Sequence, residues 1–173
     1  MKQLNGFLPN DFLSRYGESV LDTTSELTEA VKNLLALVDG LSETDKDVKI
    51  VGNWKVAQVL HHLAQANILF LESIQASKRG EFLETGIAFL SEESKPIAPK
   101  AMEPDFSLSF EQALISFSIA SKDLLNSVED AKELTGKVAL VHGFLGELDS
   151  HQCLQNAVWH IRHHTKQIQK ALS

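Results

Sequence analysis

Four long segments with apolar residues at helical spacing constrain this chain more than any other feature of its sequence. Each segment begins near a capping residue or ends near a glycine or a turn, as helices do. The segments lie at about 25–38, 53–77, 109–128 and 150–171. None of the sequence shows the strict alternation of a half-buried strand. The pattern therefore predicts an all-α protein whose long helices form an antiparallel four-helix bundle.

Polar side chains mark where these helices begin. We expect Thr24 or Ser25 to cap the first helix, because the apolar stripe starts directly after them. We expect the third helix to begin at about Ser109, which approximates a capping box with Gln112. For the last helix, Asp149 and Ser150 are both suitable caps.

The segments between the helices carry no regular pattern. Residues 1–22 are a weakly patterned lead-in that could hold one short amphipathic helix. We expect an irregular loop at 80–108, which contains three of the four prolines, and a connection with a short helical turn at 129–149. The length predicts one domain over residues 1–173, with its core at 25–172.

Composition argues against several classes of function. The formal net charge of −7 makes nucleic acid an unsuitable partner, because binding to phosphates requires a basic surface. No run of about 18 apolar residues is present, so we expect neither a membrane-spanning helix nor a membrane partner. The single cysteine, Cys153, excludes an internal disulfide and is typical of a reducing compartment. The first residues lack the apolar stretch of a secretory signal, and we therefore expect a cytoplasmic protein.

Two of the predicted helices carry histidines on apolar faces. His160 and His164 lie one turn apart, on the stripe that includes Ile161. In the second helix, His62 shares its face with Val59. Three neutral imidazoles from two facing helices would bind a metal and leave coordination positions open for water or substrate. Imidazole ligands favour zinc or nickel, with iron and manganese as alternatives.

Buried histidines without a metal are the alternative explanation. Short histidine spacings recur by chance, and a histidine on an apolar face is more often a satisfied core residue than a ligand. Against this, five of the seven histidines lie in two short helical stretches. Burying several imidazoles without a shared partner is costly. The residues alone leave both interpretations open.

Two sequence elements follow one another in a recognisable order. In the first, Trp54 is followed eight positions later by His62. In the second, His160 and His164 are followed three positions later by Gln167. In this order and separation the elements resemble the DinB-like (YfiT-like) superfamily of proposed metalloenzymes. The resemblance covers most of the chain and is greatest to a branch of uncharacterised bacterial proteins.

The resemblance implies a four-helix bundle in which His62, His160 and His164 bind one divalent metal. It selects His62 rather than His61, and His164 rather than His163, in agreement with the helical faces. It does not identify a catalytic residue. Enzymes of known chemistry in this superfamily include thiol-dependent transferases and isomerases, in which the metal activates a low-molecular-weight thiol.

Five further residues near these elements are assigned from their surroundings in the sequence. We expect Trp54 to pack as an anchor and Cys153 to be a small core residue. Gln65 and Asn156 lie one turn from the ligand positions and could bond the second imidazole nitrogens or a bound water, or make surface or interhelical polar contacts instead. The stretch "HGFLGEL" resembles the loop before the last helix in that branch, and the resemblance places His142 in a recurrent position.

The function that these observations favour is that of a divalent-metal-dependent enzyme of the hydrolase or thiol-transferase type. Its substrate would be a small molecule, with a low-molecular-weight thiol as one candidate. Neither histidine motif has an adjacent glutamate that could serve as a general base. The alternative is a non-catalytic metal-binding or stress-response bundle that acts as a homodimer or through a protein partner.

Overall fold

The computed structural model describes five stretches of the chain, which are residues 3–4, 11–85, 88–90, 96–97 and 102–173. Their helices are α1 (Val20–Asp39), α2 (Glu43–Lys46), α3 (Val56–Lys78), α4 (Phe110–Asn126), α5 (Val128–Glu133) and α6 (Ser150–Leu172), with a 3-10 turn at Leu13–Tyr16. The prediction of a mostly helical protein is confirmed. A membrane-spanning helix is absent from the described part of the chain, since every helix there is too short or too polar.

Helix α1 begins earlier than its sequence pattern indicates. Its cap is Ser19, whose hydroxyl accepts the backbone N–H of Asp22 at 3.1 Å, while the Asp22 carboxylate accepts the N–H of Ser19 at 3.2 Å. The expected caps lie inside the helix, where Thr24 and Ser25 donate to the carbonyls four residues earlier. Serine and threonine can bond the backbone in either way, so the sequence alone does not locate the cap. The predicted start at Thr24 or Ser25 is therefore wrong.

Two small three-stranded sheets show that the protein is not all-α. The first sheet has the order β1-β3-β4, with β1 (Gln3–Leu4), β3 (Ala88–Leu90) and β4 (Pro96–Ile97). The second has the order β2-β5-β6, with β2 (Leu83–Glu84), β5 (Val138–His142) and β6 (Gly146–Asp149). The predicted loop at 80–108 thus contributes strands, although residues 86–87, 91–95 and 98–101 lie outside the described stretches.

The hairpin of β5 and β6 lies where the sequence predicts a connection with a helical turn. The turn is present as α5, but the strands are not expected from the pattern. Strand β5 buries the consecutive residues Ala139 and Leu140, and its pairing with β6 is irregular between Val138 and Leu140. Alternation is lost at such an irregularity, and the strands are short. Periodicity could not reveal this hairpin.

The long helices pack around one apolar core. Helix α3 contacts both α4 and α6, and α1 contacts α6. Strand β5 packs against α3 and α6, so the hairpin covers the same two helices. The largest fully buried side chains come from all four long helices and include Leu34, Leu63, Phe117 and Ile161. Burial of each such side chain contributes about 1.5–3 kcal/mol to the packing of the helices.

Asp149 joins the hairpin to α6 and offers a test of this arrangement. One carboxylate oxygen accepts the N–H of Gln152 at 2.8 Å, and the other accepts the N–H of Gly136 at 2.8 Å. Replacing Asp149 by Ala should lower the free energy of unfolding in urea by about 1–2 kcal/mol, because both N–H groups lose their acceptor.

The matched control is Asp149→Asn, which keeps an acceptor oxygen for the helix terminus and should lose less stability. Equal stability of the wild type and Asp149→Ala would contradict this account of how α6 begins.

Candidate metal centre

Three histidine side chains from two helices meet inside the protein. The Nε2 atom of His160 lies 3.0 Å from Nε2 of His62 and 3.1 Å from Nε2 of His164. One ligand atom of each residue lies within 4.8 Å of those of the other two. These residues, called the three-histidine cluster below, are those that the sequence selects. Among the described residues, no cysteine or carboxylate joins them.

The packing of α3 against α6 places these side chains together. His62 lies on the buried face of α3 beside Val59 and Leu63, which are fully buried. His160 and His164 are separated by one turn of α6, so their rings project from the same side of that helix. Contact between the two helices therefore brings the imidazoles of both into one space.

A backbone carbonyl orients His62. Its Nδ1 atom lies 2.8 Å from the carbonyl oxygen of Met102. A carbonyl oxygen can only accept, so Nδ1 must carry the hydrogen and donate it, which leaves the lone pair of neutral His62 on Nε2. That lone pair faces His160. Metal-binding histidines are commonly oriented in this way, by a hydrogen bond from their other nitrogen.

The segment that supplies this carbonyl is itself held to α3. The N–H of Asp105 donates to Nδ1 of His61 at 3.0 Å. In the amide orientation that matches donors to acceptors, Gln65 donates to the carbonyls of Met102 at 3.2 Å and Glu103 at 3.3 Å. Gln65 therefore bonds the carbonyl that orients His62. It does not bond the imidazole itself, which was one of the roles that the sequence allowed. The partner of His62 Nδ1 was missed because a backbone atom leaves no signal in the sequence.

Burial keeps the three imidazoles neutral. It lowers the pKa of His164 to about 3, with a smaller effect of repulsion from His62 and His163. Burial also lowers the pKa of His160 well below its usual range, and repulsion from neighbouring histidines acts in the same direction. The pKa of His62 is lowered by burial and partly restored by the bond to Met102. At neutral pH each residue can therefore offer a lone pair.

Hydrogen atoms alone cannot satisfy the three converging nitrogens. If His160 carries its hydrogen on Nε2, that one hydrogen must serve both His62 and His164. If His160 carries it on Nδ1, its Nε2 lone pair faces the lone pair of His62 at 3.0 Å. A cation among the three nitrogens accepts all three lone pairs at once.

The spacing of the nitrogens also fits a shared cation. Imidazole nitrogens bound to a transition metal at about 2.0–2.1 Å, with angles of about 90–110° between them, lie about 2.9–3.4 Å apart. Two of the three separations in the cluster, 3.0 Å and 3.1 Å, fall within this range, and the third, between His62 and His164, is within 4.8 Å. The residues present therefore fit a divalent metal.

Several buried polar atoms on α6 have no partner within the described part of the protein. They are Oγ of Ser150, Nδ1 of His164, Oε1 of Gln167 and both amide atoms of Asn156. Asn156 is only 1% exposed and lies one turn before His160. Its amide has no bond to an imidazole, although the sequence allowed one. Such atoms are rare in proteins and usually mark a bound water, ion or ligand.

His142 lies at the end of β5 and belongs to the surroundings of the cluster. Its Nδ1 accepts the backbone N–H groups of Phe144 at 3.1 Å and Leu145 at 3.3 Å. Burial lowers the pKa of His142 to about 4. A positive charge on His142 would lower the pKa of His160, so the two rings lie near each other. The sequence indicates the position of His142 but not these contacts.

The remaining residues singled out from the sequence lie outside the cluster. His61 bonds the segment after Met102, and His163 is exposed on α6. Trp54 packs beside His62, with ring centroids 5.0 Å apart. Cys153 is fully buried, and burial raises the pKa of its thiol, so it has the character of a core residue and not of a nucleophile.

The buried histidines predict how stability depends on pH in the metal-free protein. Unfolded histidine titrates near 6.5, whereas folded His142 and His164 have pKa values of about 4 and about 3. Between these values the unfolded chain binds more protons, so the free energy of unfolding falls as pH drops below about 6.5. Each such histidine contributes a slope of about 1.4 kcal/mol per pH unit.

Urea unfolding in the presence of a chelator, between pH 7.5 and pH 5, measures this slope. His164→Gln removes one titrating group, so its slope should be smaller by about 1.4 kcal/mol per pH unit. Stability that is independent of pH over this interval would show that the histidines are not buried in the neutral form.

Comparison with known proteins agrees with the cluster. No curated protein and no solved structure matches the chain. A family model described as "DinB superfamily" matches residues 26–168, which is most of the chain and includes all three histidines. That superfamily is metal-binding in general, as the cluster leads one to expect. On this match, the chain belongs to the DinB superfamily.

Proposed function

We propose that this protein is a divalent-metal-dependent enzyme whose cation is held by His62, His160 and His164. The observation that carries the proposal is the convergence of three neutral Nε2 atoms within 4.8 Å of one another. Zinc or nickel suits an all-imidazole set best, and iron or manganese are alternatives.

Three protein ligands, rather than four, favour chemistry over a structural role. Structural zinc sites are closed by four protein ligands, whereas catalytic sites have three and keep a position for substrate or water. In the described part of the chain no fourth ligand joins the cluster. A metal bound in this way would act as a Lewis acid toward water, a thiol or a carbonyl. We therefore propose hydrolysis or thiol transfer on a small-molecule substrate.

The chain's own residues position and insulate the site. The Met102 carbonyl fixes the ring of His62, and Gln65 bonds the same carbonyl. The ring of Trp54 covers one side of His62. Burial of His62 and His164 excludes bulk water, which strengthens every electrostatic interaction with a bound substrate.

The proposal extends to the architecture. The four long helices would form an antiparallel bundle, and residues 1–173 would form a single domain with its core at 25–172. The contacts of α3 with α4 and α6, and of α1 with α6, support this arrangement. The core residues contributed by all four long helices support it as well.

A non-catalytic metal-binding bundle that dimerises is the second candidate. The observation that favours it is a pair of exposed isoleucines on α4: Ile115 is 59% exposed and Ile119 is 57% exposed. They lie one turn apart and share a face that a second copy of the chain could cover.

Metal analysis of protein purified without a chelator or a histidine tag tests the proposal. The wild type should contain about one equivalent of a transition metal, as one three-histidine site requires. His62→Ala and His164→Ala should each lose most of it, because two remaining imidazoles bind more weakly. Circular dichroism would confirm that these variants fold.

The neighbouring histidines provide matched controls. His61→Ala and His163→Ala remove the same side chain one position away and should retain the metal. Metal-free wild type, or equal loss from all four variants, would contradict the proposed site. A screen for hydrolysis and thiol transfer would then separate enzyme from binding protein, with loss of activity in His62→Ala and His164→Ala as the criterion.

A further inference from the structure

We propose that His142 is a further functional residue, which donates a hydrogen bond from Nε2 to an acceptor oxygen of the small molecule bound at the three-histidine cluster. The inference rests on the proposed metal-dependent function and adds to it a substrate class, compounds with a carbonyl or carboxylate oxygen. It is carried by three observations: a fixed tautomer, the placement of the hairpin, and unpartnered polar atoms beside His160.

The tautomer of His142 is fixed by the turn that follows it. The backbone N–H groups of Phe144 and Leu145 both point at Nδ1, at 3.1 Å and 3.3 Å. A nitrogen that accepts two hydrogen bonds carries no hydrogen, so the hydrogen of the neutral ring is on Nε2. The ring therefore presents a hydrogen-bond donor on the side away from the turn.

The hairpin brings this donor to the level of the cluster. Strand β6 leads directly into α6, and β5 runs back along β6 from Val138, opposite Asp149, to His142, opposite Gly146. Strands β5 and β6 both pack against α6, and β5 also packs against α3, so His142 lies in the hairpin that covers the two helices of the cluster. A positive charge on His142 would lower the pKa of His160, which requires that the two rings lie near each other.

Neighbouring contacts hold His142 in this position. The N–H of Gly143 donates to the hydroxyl of Thr85 at 3.0 Å, and the N–H of Thr85 donates to the carbonyl of Val141 at 3.1 Å. Both residues that flank His142 are thus tied to the segment after β2. Because these bonds hold the end of the strand in place, its donor can bind an acceptor without the entropy cost of ordering a loop.

Unpartnered polar atoms near His160 favour a polar partner, a water or a ligand, at this place. Both amide atoms of Asn156, a buried residue one turn before His160, lack a partner. The donor of His142 is uncharged, and the neighbouring imidazoles are neutral as well. Together with a divalent cation, these groups favour a carbonyl or carboxylate oxygen over a cationic amine.

A purely structural role, in which His142 only accepts the N–H groups of its turn, is the competing explanation. Two substitutions separate the roles. In His142→Asn the side-chain oxygen can replace Nδ1 as the acceptor, but the distal donor is lost. In His142→Gln the side-chain amide can replace the distal donor, but the acceptor at the turn is lost.

The experiment titrates acetate into the Co(II)-loaded wild type and both variants, and follows the visible absorption of Co(II). His142→Asn should bind Co(II) and resist urea as the wild type does, but its Kd for acetate should rise about tenfold, as expected for one lost hydrogen bond. His142→Gln should bind acetate nearly as tightly as the wild type. Unchanged acetate affinity in His142→Asn, or equal weakening in both variants, would overturn the inference while leaving the metal site intact.

A second measurement needs no variant. In zinc-loaded wild type labelled with ¹⁵N, the ring Nε2–H signal of His142 should move on addition of acetate. A signal that stays in place while acetate binds would overturn the inference. Failure of the wild type to bind Co(II) or zinc would instead contradict the proposed function, and the inference with it.

Discussion

Three ring nitrogens that converge from buried neutral imidazoles are the constraint on which the functional site depends. The nitrogens of His62 and His164 each lie about one hydrogen-bond length from that of His160. Hydrogens alone leave this arrangement poorly satisfied, because one neutral ring can offer only one N–H. A cation gives all three nitrogens a partner, because it can bind each of them at the same time. It thereby replaces the hydrogen bonds to water that the rings lose on burial.

The helices and the connecting segments contribute differently to this site. Helices α3 and α6 supply the three nitrogens, and their apolar packing sets the distance between them. The connections supply orientation and, by our inference, selectivity: the Met102 carbonyl turns His62, and the hairpin presents His142. Functional groups on loops braced by a rigid scaffold are a common arrangement, since the loops can change without altering the core.

What the sequence predicts, and what it does not, follows from the range of the interactions. His160 and His164 are related by helical periodicity, which is local, so their shared face could be derived from spacing. The family resemblance assigns His62 to the same site. The apolar face of the helix on which His62 lies agrees with that assignment. By contrast, the bond from His62 to Met102 spans 40 residues and ends on a backbone atom, which carries no sequence signal.

Local patterns also fail where they are broken or ambiguous. The hairpin was missed because Ala139 and Leu140 are buried in succession and the pairing is irregular beside them. The start of α1 was misplaced because Thr24 bonds back into the helix, whereas Ser19 caps it. The hydrophobic pattern therefore predicts the long helices well, and it predicts their caps and the short strands poorly.

A crystal structure with anomalous diffraction at a metal absorption edge tests the central claim most directly. The account predicts one anomalous peak about 2.0–2.2 Å from the Nε2 atoms of His62, His160 and His164, with no fourth protein ligand. A protein that diffracts well but shows no peak at this position, or a peak bound by other residues, would contradict the account.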